Sequence, residues 1–233
     1  MEPPRIGPLR VRALGSGDGP AILLCHGFGA PGEDLVPLAR VVDAGRDVRW
    51  FFPEAPIQLE LGYGMSGRAW WPIDMGRMQR LILSGQGQRI VEETPDGLAE
   101  ARAQLEATIA ALEKDHGVRR DRLIIGGFSQ GAMLTTEVAL HAETAFAGLA
   151  ILSGTLLSAS RWAEAAPARG ASLHVLESHG QRDPVLPFAG AEALRAMLIG
   201  AGAKVDWVPH GGQHEIPDVV LKRLGAFARS RFA

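Results

Sequence analysis

The chain has 233 residues, 46% of them hydrophobic, and a formal net charge of −2. That length suits one globular domain over residues 1–233 with a sizeable core, and a near-neutral balance without a basic cluster argues against nucleic-acid binding. No apolar run reaches the ~18 residues needed to span a bilayer, so no stable membrane insertion is expected. The start, Met1-Glu2-Pro3-Pro4-Arg5, lacks a signal-peptide pattern and the single cysteine, Cys25, has no intrachain partner, which makes a cytoplasmic location the expectation.

Taken in chain order, apolar runs predict strands from Leu9 to Leu14 and from Ala21 to Cys25. The second runs into His26-Gly27-Phe28-Gly29-Ala30-Pro31-Gly32, a glycine-rich loop of the H-G-x-G kind. A helix is expected from Glu33 to Asp43 and a strand from Val48 to Phe52. Residues 57–95 break the pattern. They contain Gly62, Gly64, Gly67, Gly76, Gly85 and Gly87, together with Tyr63, Met65, Trp70 and Trp71. A loop of that size in a compact domain is usually functional, and we read it as the wall of a substrate pocket built around Met65, Trp70 and Trp71. Its Gly62-Tyr63-Gly64-Met65-Ser66-Gly67 matches G-x-G-x-x-G, but no helix can follow directly, because Pro72 comes next after the Trp pair. The helix from Asp96 to His116 is the clearest in the chain, with Leu98, Leu105 and Leu112 on one face beside Ala101 and Ile109.

The most informative stretch comes next. Leu123-Ile124-Ile125-Gly126 predicts a strand, Gly127-Phe128-Ser129-Gln130-Gly131 reads G-x-S-x-G, and a helix is expected from Gln130 to His141. Strand, G-x-S-x-G and helix together are the context of a nucleophile elbow, in which the serine stands on a sharp turn at a helix N-terminus. Strands follow from Gly148 to Leu152, from Leu173 to Glu177 and from Lys204 to Val208, with helices from Ala189 to Ile199 and from Ile216 to Phe232. Alternating strands and helices imply an α/β fold with a mainly parallel central sheet and helices on both faces.

A serine needs a base, and the base needs an orienting acid. In α/β-hydrolases the chain order is Ser, then Asp or Glu, then His. Asp183, in the turn after the strand ending at Glu177, has the right order. Asp206 lies within the next strand, and Asp218 follows the histidines. The base candidates are His214 and His210. His214 is preferred because His210 directly follows Pro209 at a strand end, while Gly211 and Gly212 free the loop carrying His214 to fold back. His26, His174 and His179 read as strand or loop residues. His210 and His214 are four apart, but the glycines between them argue against helical metal-ligand spacing, and no metal or cofactor is expected. The oxyanion donors are assigned to the backbone N–H groups of Phe28 and Gln130.

These segments resemble the phospholipase/carboxylesterase family of small α/β-hydrolases, which includes acyl-protein thioesterases. The resemblance is carried by H-G-F-G-A-P-G-E-D-L from His26, Pro53-Glu54-Ala55-Pro56, Arg68-Ala69-Trp70-Trp71-Pro72, G-F-S-Q-G-A from Gly127 and H-G-x-x-D-P-V-x-P from His179. It implies an α/β-hydrolase fold without a large cap domain and a Ser129, Asp183, His214 triad. The expected function is a serine carboxylesterase acting on short- to medium-chain acyl esters. An acyl-protein thioesterase or lysophospholipase on longer chains is the alternative, and a non-catalytic binding protein on the same fold is the alternative of another class. The expected partner is a small-molecule ester or thioester; oligomeric state is not legible.

Overall fold

The computed structural model describes residues 2–62 and 64–233. Its central sheet has eight strands: β1 (Arg5–Ile6), β2 (Leu9–Leu14), β3 (Ala21–Cys25), β4 (Arg49–Glu54), β7 (Leu123–Phe128), β8 (Gly148–Leu152), β9 (His174–Gly180) and β10 (Lys204–His210). They stand in the order β1-β2-β4-β3-β7-β8-β9-β10. β1, β2 and β4 pair antiparallel, and every pairing from β4 to β10 is parallel. β5 (Ile57–Gly62) and β6 (Met65–Ala69) form a separate antiparallel hairpin.

The central strands are apolar on both sides because both faces are covered. Leu23, Ile125, Ile151 and Val175 join a core with Leu98, Leu105, Ile109 and Leu112 of α4 (Leu98–His116) and Leu134 and Val138 of α5 (Gln130–His141). Their neighbours Ile22, Ile124, Ala150 and Leu176 point the other way, into a core with Val220, Leu224 and Phe227 of α8 (Asp218–Phe232). α5 lies between sheet and α4 and is buried from Gln130 to Leu140. α7 (Phe188–Gly200) packs against β9 and β10. No helix among the described residues is long and apolar enough to cross a membrane.

Two expectations are corrected. The helix from Glu33 to Asp43 shrinks to α1 (Leu38–Val41). Pro37 has no N–H to donate and disfavours helical backbone at Val36, so the segment before it turns instead. Residues 57–95 are not a structureless loop. After the β5–β6 hairpin they form α2 (Met75–Leu83) and α3 (Gln88–Glu92). Asp74 starts α2 by accepting a hydrogen bond from the Arg77 N–H at 2.8 Å, a short-range N-cap signal that the surrounding glycines obscured. Tyr63 lies outside the described residues. A further short helix, α6 (Ala159–Ala165), was not anticipated. Elsewhere the expected boundaries shift by up to three residues, as element ends usually do.

Candidate active site

The elbow begins where β7 leaves the sheet. Ser129 has φ +53° and ψ −116°, a conformation that a non-glycine residue adopts only under constraint, at a cost of roughly 1–3 kcal/mol. The constraint is visible. Its N–H donates to the Leu152 carbonyl at the end of β8 (2.9 Å), and its carbonyl accepts from the Met133 N–H (3.1 Å). The glycines flanking it admit the turn: a Cβ on Gly127 or Gly131 would stand 2.5 or 2.1 Å from the Cys25 carbonyl oxygen. The Ser129 side chain makes no capping bond to α5, so the hydroxyl is not consumed by the helix it precedes.

The loop after β9 carries Asp183. Its Oδ1 accepts from the Val185 and Leu186 N–H groups at 2.8 and 2.9 Å. Its Oδ2 accepts from His214 Nδ1 at 2.6 Å. Burial opposes ionisation of this carboxyl, but hydrogen bonds from His179, His214 and Leu186 outweigh it and hold Asp183 well below the usual carboxylate range. The loop bearing His214 is fastened to the one bearing Asp183. The Gln181 and Arg182 N–H groups donate to the carbonyls of His210 (2.8 Å) and Gly212 (3.1 Å), and Arg182 Nε reaches the Gly211 carbonyl at 2.6 Å.

The candidate histidines therefore separate. His214 holds Asp183, and its ring lies 4.7 Å from that of Phe128, the residue before Ser129. His210 stays in β10, buried, with Nδ1 accepting from the Gly212 N–H at 3.2 Å. Among the described residues no hydrogen bond joins Ser129 to His214; such contacts often tighten only when substrate is bound. Asp206 is engaged by Arg223 across the surface, and Asp218 opens α8.

The candidate oxyanion donors sit on either side of the elbow. The Phe28 N–H has no acceptor among the described residues, and the Gln130 N–H belongs to the first turn of α5, where no intrahelical acceptor exists. The Phe28 loop is held from two directions. His26 Nδ1 donates to the Gly27 carbonyl (2.8 Å) while its Nε2 accepts from the Ala55 N–H (3.0 Å), which fixes the tautomer. Burial depresses the pKa of this imidazole, consistent with a neutral ring. From the hairpin, the Gly29 N–H donates to the Arg68 carbonyl (2.8 Å) and the Arg68 N–H to the Ala30 carbonyl (2.9 Å).

The Trp pair divides. Trp71 lines a cavity of about 370 Å³ with Met78, Ile90, Met133, Leu157 and Leu186. Trp70 does not line it: the ring is buried and its Nε1 donates to the His26 carbonyl at 2.9 Å. Met65 is 59% exposed on the hairpin and lines none of the cavities described. Two features escaped the sequence reading. The buried Gln130 side chain accepts from the Trp70 N–H (3.0 Å) and donates to the Trp71 carbonyl (2.8 Å). His179, read as an ordinary strand residue, is wholly buried against Asp183; the H-G-x-x-D spacing that links them was visible in the sequence. No group of three or more His, Cys, Asp and Glu among the described residues is arranged to hold a metal ion.

A model of the phospholipase/carboxylesterase family matches residues 9–230. The chain belongs to this family. Among phospholipase/carboxylesterase relatives, it is similar to acyl-protein thioesterase 1 of Schizosaccharomyces pombe, with 29% identity over 76% of this chain and 75% of that one. The acyl-protein thioesterase 1 of Gibberella zeae is 26% identical across 99% of this chain and 98% of its own. The crystal structure of esterase PE8 superposes with a TM-score of 0.77 at 26% identity, covering 95% of this chain and 98% of that one. This family member thus shares its α/β-hydrolase fold with proteins named for ester and thioester cleavage.

Proposed function

We propose that the protein is a serine carboxylesterase acting on short- to medium-chain acyl esters. The observation that carries the reading is the 2.6 Å hydrogen bond from His214 to Asp183, beside a serine held at positive φ on the elbow. His214 Nε2 takes the Ser129 proton as Oγ adds to the acyl carbonyl. Asp183 fixes the proton of the neutral ring on Nδ1 and stabilises the imidazolium. The Phe28 and Gln130 N–H groups receive the oxyanion, each worth about 3–4 kcal/mol in the transition state. The imidazolium then protonates the departing alkoxide. A water, deprotonated by His214, adds to the acyl-serine, and the imidazolium returns that proton to Ser129 Oγ as the acyl–oxygen bond breaks and the acid leaves. The reaction as written uses no cofactor or metal.

The chain-length reading is supported by the cavity lined by Met133, which stands one helical turn after Ser129. A second cavity, of about 380 Å³, adjoins the first, and Ile90, Thr155 and Leu186 line both. Each methylene buried adds about 0.8 kcal/mol until these residues end the enclosure. Efficiency on p-nitrophenyl esters is therefore expected to rise from acetate, peak at short to medium chains and fall at palmitate. An optimum at palmitate, or a strong preference for acyl thioesters, would favour the second reading, acyl-protein thioesterase or lysophospholipase, which the names of the relatives support. Ser129→Ala is expected to abolish turnover and fluorophosphonate labelling. Absence of hydrolysis by the native chain across the panel would favour a binding protein.

A further inference from the structure

His179 stands at the end of β9, wholly buried, with its ring 6.1 Å from that of Phe188. Its Nε2 lies 2.8 Å from the Leu186 carbonyl oxygen and 3.2 Å from Asp183 Oδ2. A carbonyl can only accept, so Nε2 carries the proton and donates to both oxygens. Oδ2 is the oxygen that His214 also engages. The Leu186 N–H meanwhile donates to Oδ1. Both polar groups of the Leu186 backbone are thus bound, one to the carboxylate and one to the imidazole that shares it. His179 Nδ1 is buried and has no partner among the described residues. Moving the proton there would leave a buried donor unpaired and turn a lone pair toward two oxygens, so the surroundings enforce one tautomer.

We propose that His179 is a positioning residue for the acid–base relay, a second donor that locks the Asp183 carboxylate to its loop and tempers its pull on His214. This rests on the reading of Ser129, His214 and Asp183 as a catalytic triad. An N–H donating to Oδ2 draws off part of the negative charge that would otherwise stabilise the His214 imidazolium. Losing it does two things: the carboxylate is freer to turn away from His214, and it binds the imidazolium more strongly when aligned. The first lowers kcat. The second raises the pH at which the free enzyme's base becomes available. The other ionisable groups around this centre are His210 and Glu215, from β10 and the loop after it, Arg182 in the acid loop, Glu177 earlier on β9 and Arg195 of α7. None of them changes in the variants below.

The test compares the wild type with His179→Leu, His179→Gln and Ser129→Ala on p-nitrophenyl butyrate from pH 5 to 9. His179→Leu removes the donor and keeps an apolar side chain. It is expected to lose roughly ten- to a hundredfold in kcat, part of the 10²–10⁴ that general acid–base catalysis supplies, with KM little changed. The acid limb of its kcat/KM profile is expected to move to higher pH. His179→Gln can place an amide NH2 near both acceptors and is expected to recover most of kcat and the original limb. A wild-type rate and limb in His179→Leu would overturn the inference, as would His179→Gln failing as badly as His179→Leu. Should His179→Leu not fold, the wild-type long-range ¹H–¹⁵N spectrum decides: an Nε2–H ring at His179 supports the inference and an Nδ1–H ring overturns it. Ser129→Ala separates the two levels. If it still turns over, the triad reading fails; if it is dead while His179→Leu is normal, only the role of His179 fails.

Discussion

Gly67 of the hairpin lies against Gly29 of the oxyanion loop so closely that a Cβ on Gly67 would stand 2.2 Å from the Gly29 carbonyl oxygen. No side chain fits without moving backbone, and the backbone that would move is next to Phe28. Gly67→Ala should therefore damage the proposed oxyanion hole from outside it. A fall in kcat of about tenfold or more is expected, with the ~10²–10³ that losing one donor costs as its upper limit, and a smaller change in KM. Steady-state kinetics checks this, and an unchanged kcat would mean that the loop does not depend on the hairpin.

Strain at Ser129 separates activity from stability. Ser129→Gly and Ser129→Ala should both be inactive. Glycine accepts positive φ readily, whereas alanine keeps the Cβ. Ser129→Gly should therefore be the more stable of the two by about 1 kcal/mol, measured by urea unfolding. Equal stability would show that the elbow holds little strain.

His214→Ala should lower kcat by several orders of magnitude, because members of a triad act as a unit. His210→Ala should affect the rate far less, since among the described residues the His210 ring accepts only from the Gly212 N–H on its own loop. The opposite ranking would move the base to His210.

The partition between the two cavities gives a separable handle on chain length. Ile90→Ala should join them and move the optimum toward longer acyl chains, read from kcat/KM across the ester panel. Trp71→Ala is a poorer probe. That ring is 1% exposed, and removing a buried Trp costs about 3–5 kcal/mol, so stability would change along with specificity. If Ile90→Ala leaves the optimum unmoved, the acyl chain does not run toward α3.

Glu177 is wholly buried in β9, and among the described residues neither carboxyl oxygen has a hydrogen-bond partner. Burial raises its pKa to about 8 from 4.5, partly offset by Arg195. The unfolded chain releases this proton near its ordinary pKa, while the folded chain keeps it until near pH 8. Between those limits the unfolded state binds fewer protons, so stability falls as pH rises. Glu177→Gln should flatten the decline in Tm from pH 5 to pH 8. Parallel Tm profiles for the two proteins would show that Glu177 is ionised and compensated in the fold.

Much of this was legible in the sequence because the signals were short-range. Apolar strands entering glycine turns marked β3 and β7, and chain order placed Asp183 and His214 on adjacent loops, where the structure brings them together. Residues 57–95 are the exception, because their glycines suggest irregularity. Gly62 and Gly64 instead have positive φ at the turn of a hairpin, and the Asp74 cap starts a helix two residues after Pro72. Pro37 carried enough information to shorten the helix expected from Glu33, but the apolar residues around it suggested continuity. Gln130 and His179 were opaque for a different reason. Their partners are Trp70 and Trp71 in one case and Asp183 and Leu186 in the other, and a side chain's hydrogen-bond partners across a fold have no local pattern.

The Gln130 amide gives a rule for anyone exchanging parts between relatives. Residues 57–95 carry a hairpin, two short helices and much of the lining of the first cavity, which makes them a natural unit to transplant when a different specificity is sought. One of its fastenings to the scaffold is this side-chain amide, which accepts from the N–H of residue 70 and donates to the carbonyl of residue 71. A graft that presents both groups in register, and keeps glycine at residue 67, satisfies this amide beside the elbow. One that shifts the register by a single residue strands a buried amide next to the nucleophile, and should fail as an enzyme before its new specificity can be observed.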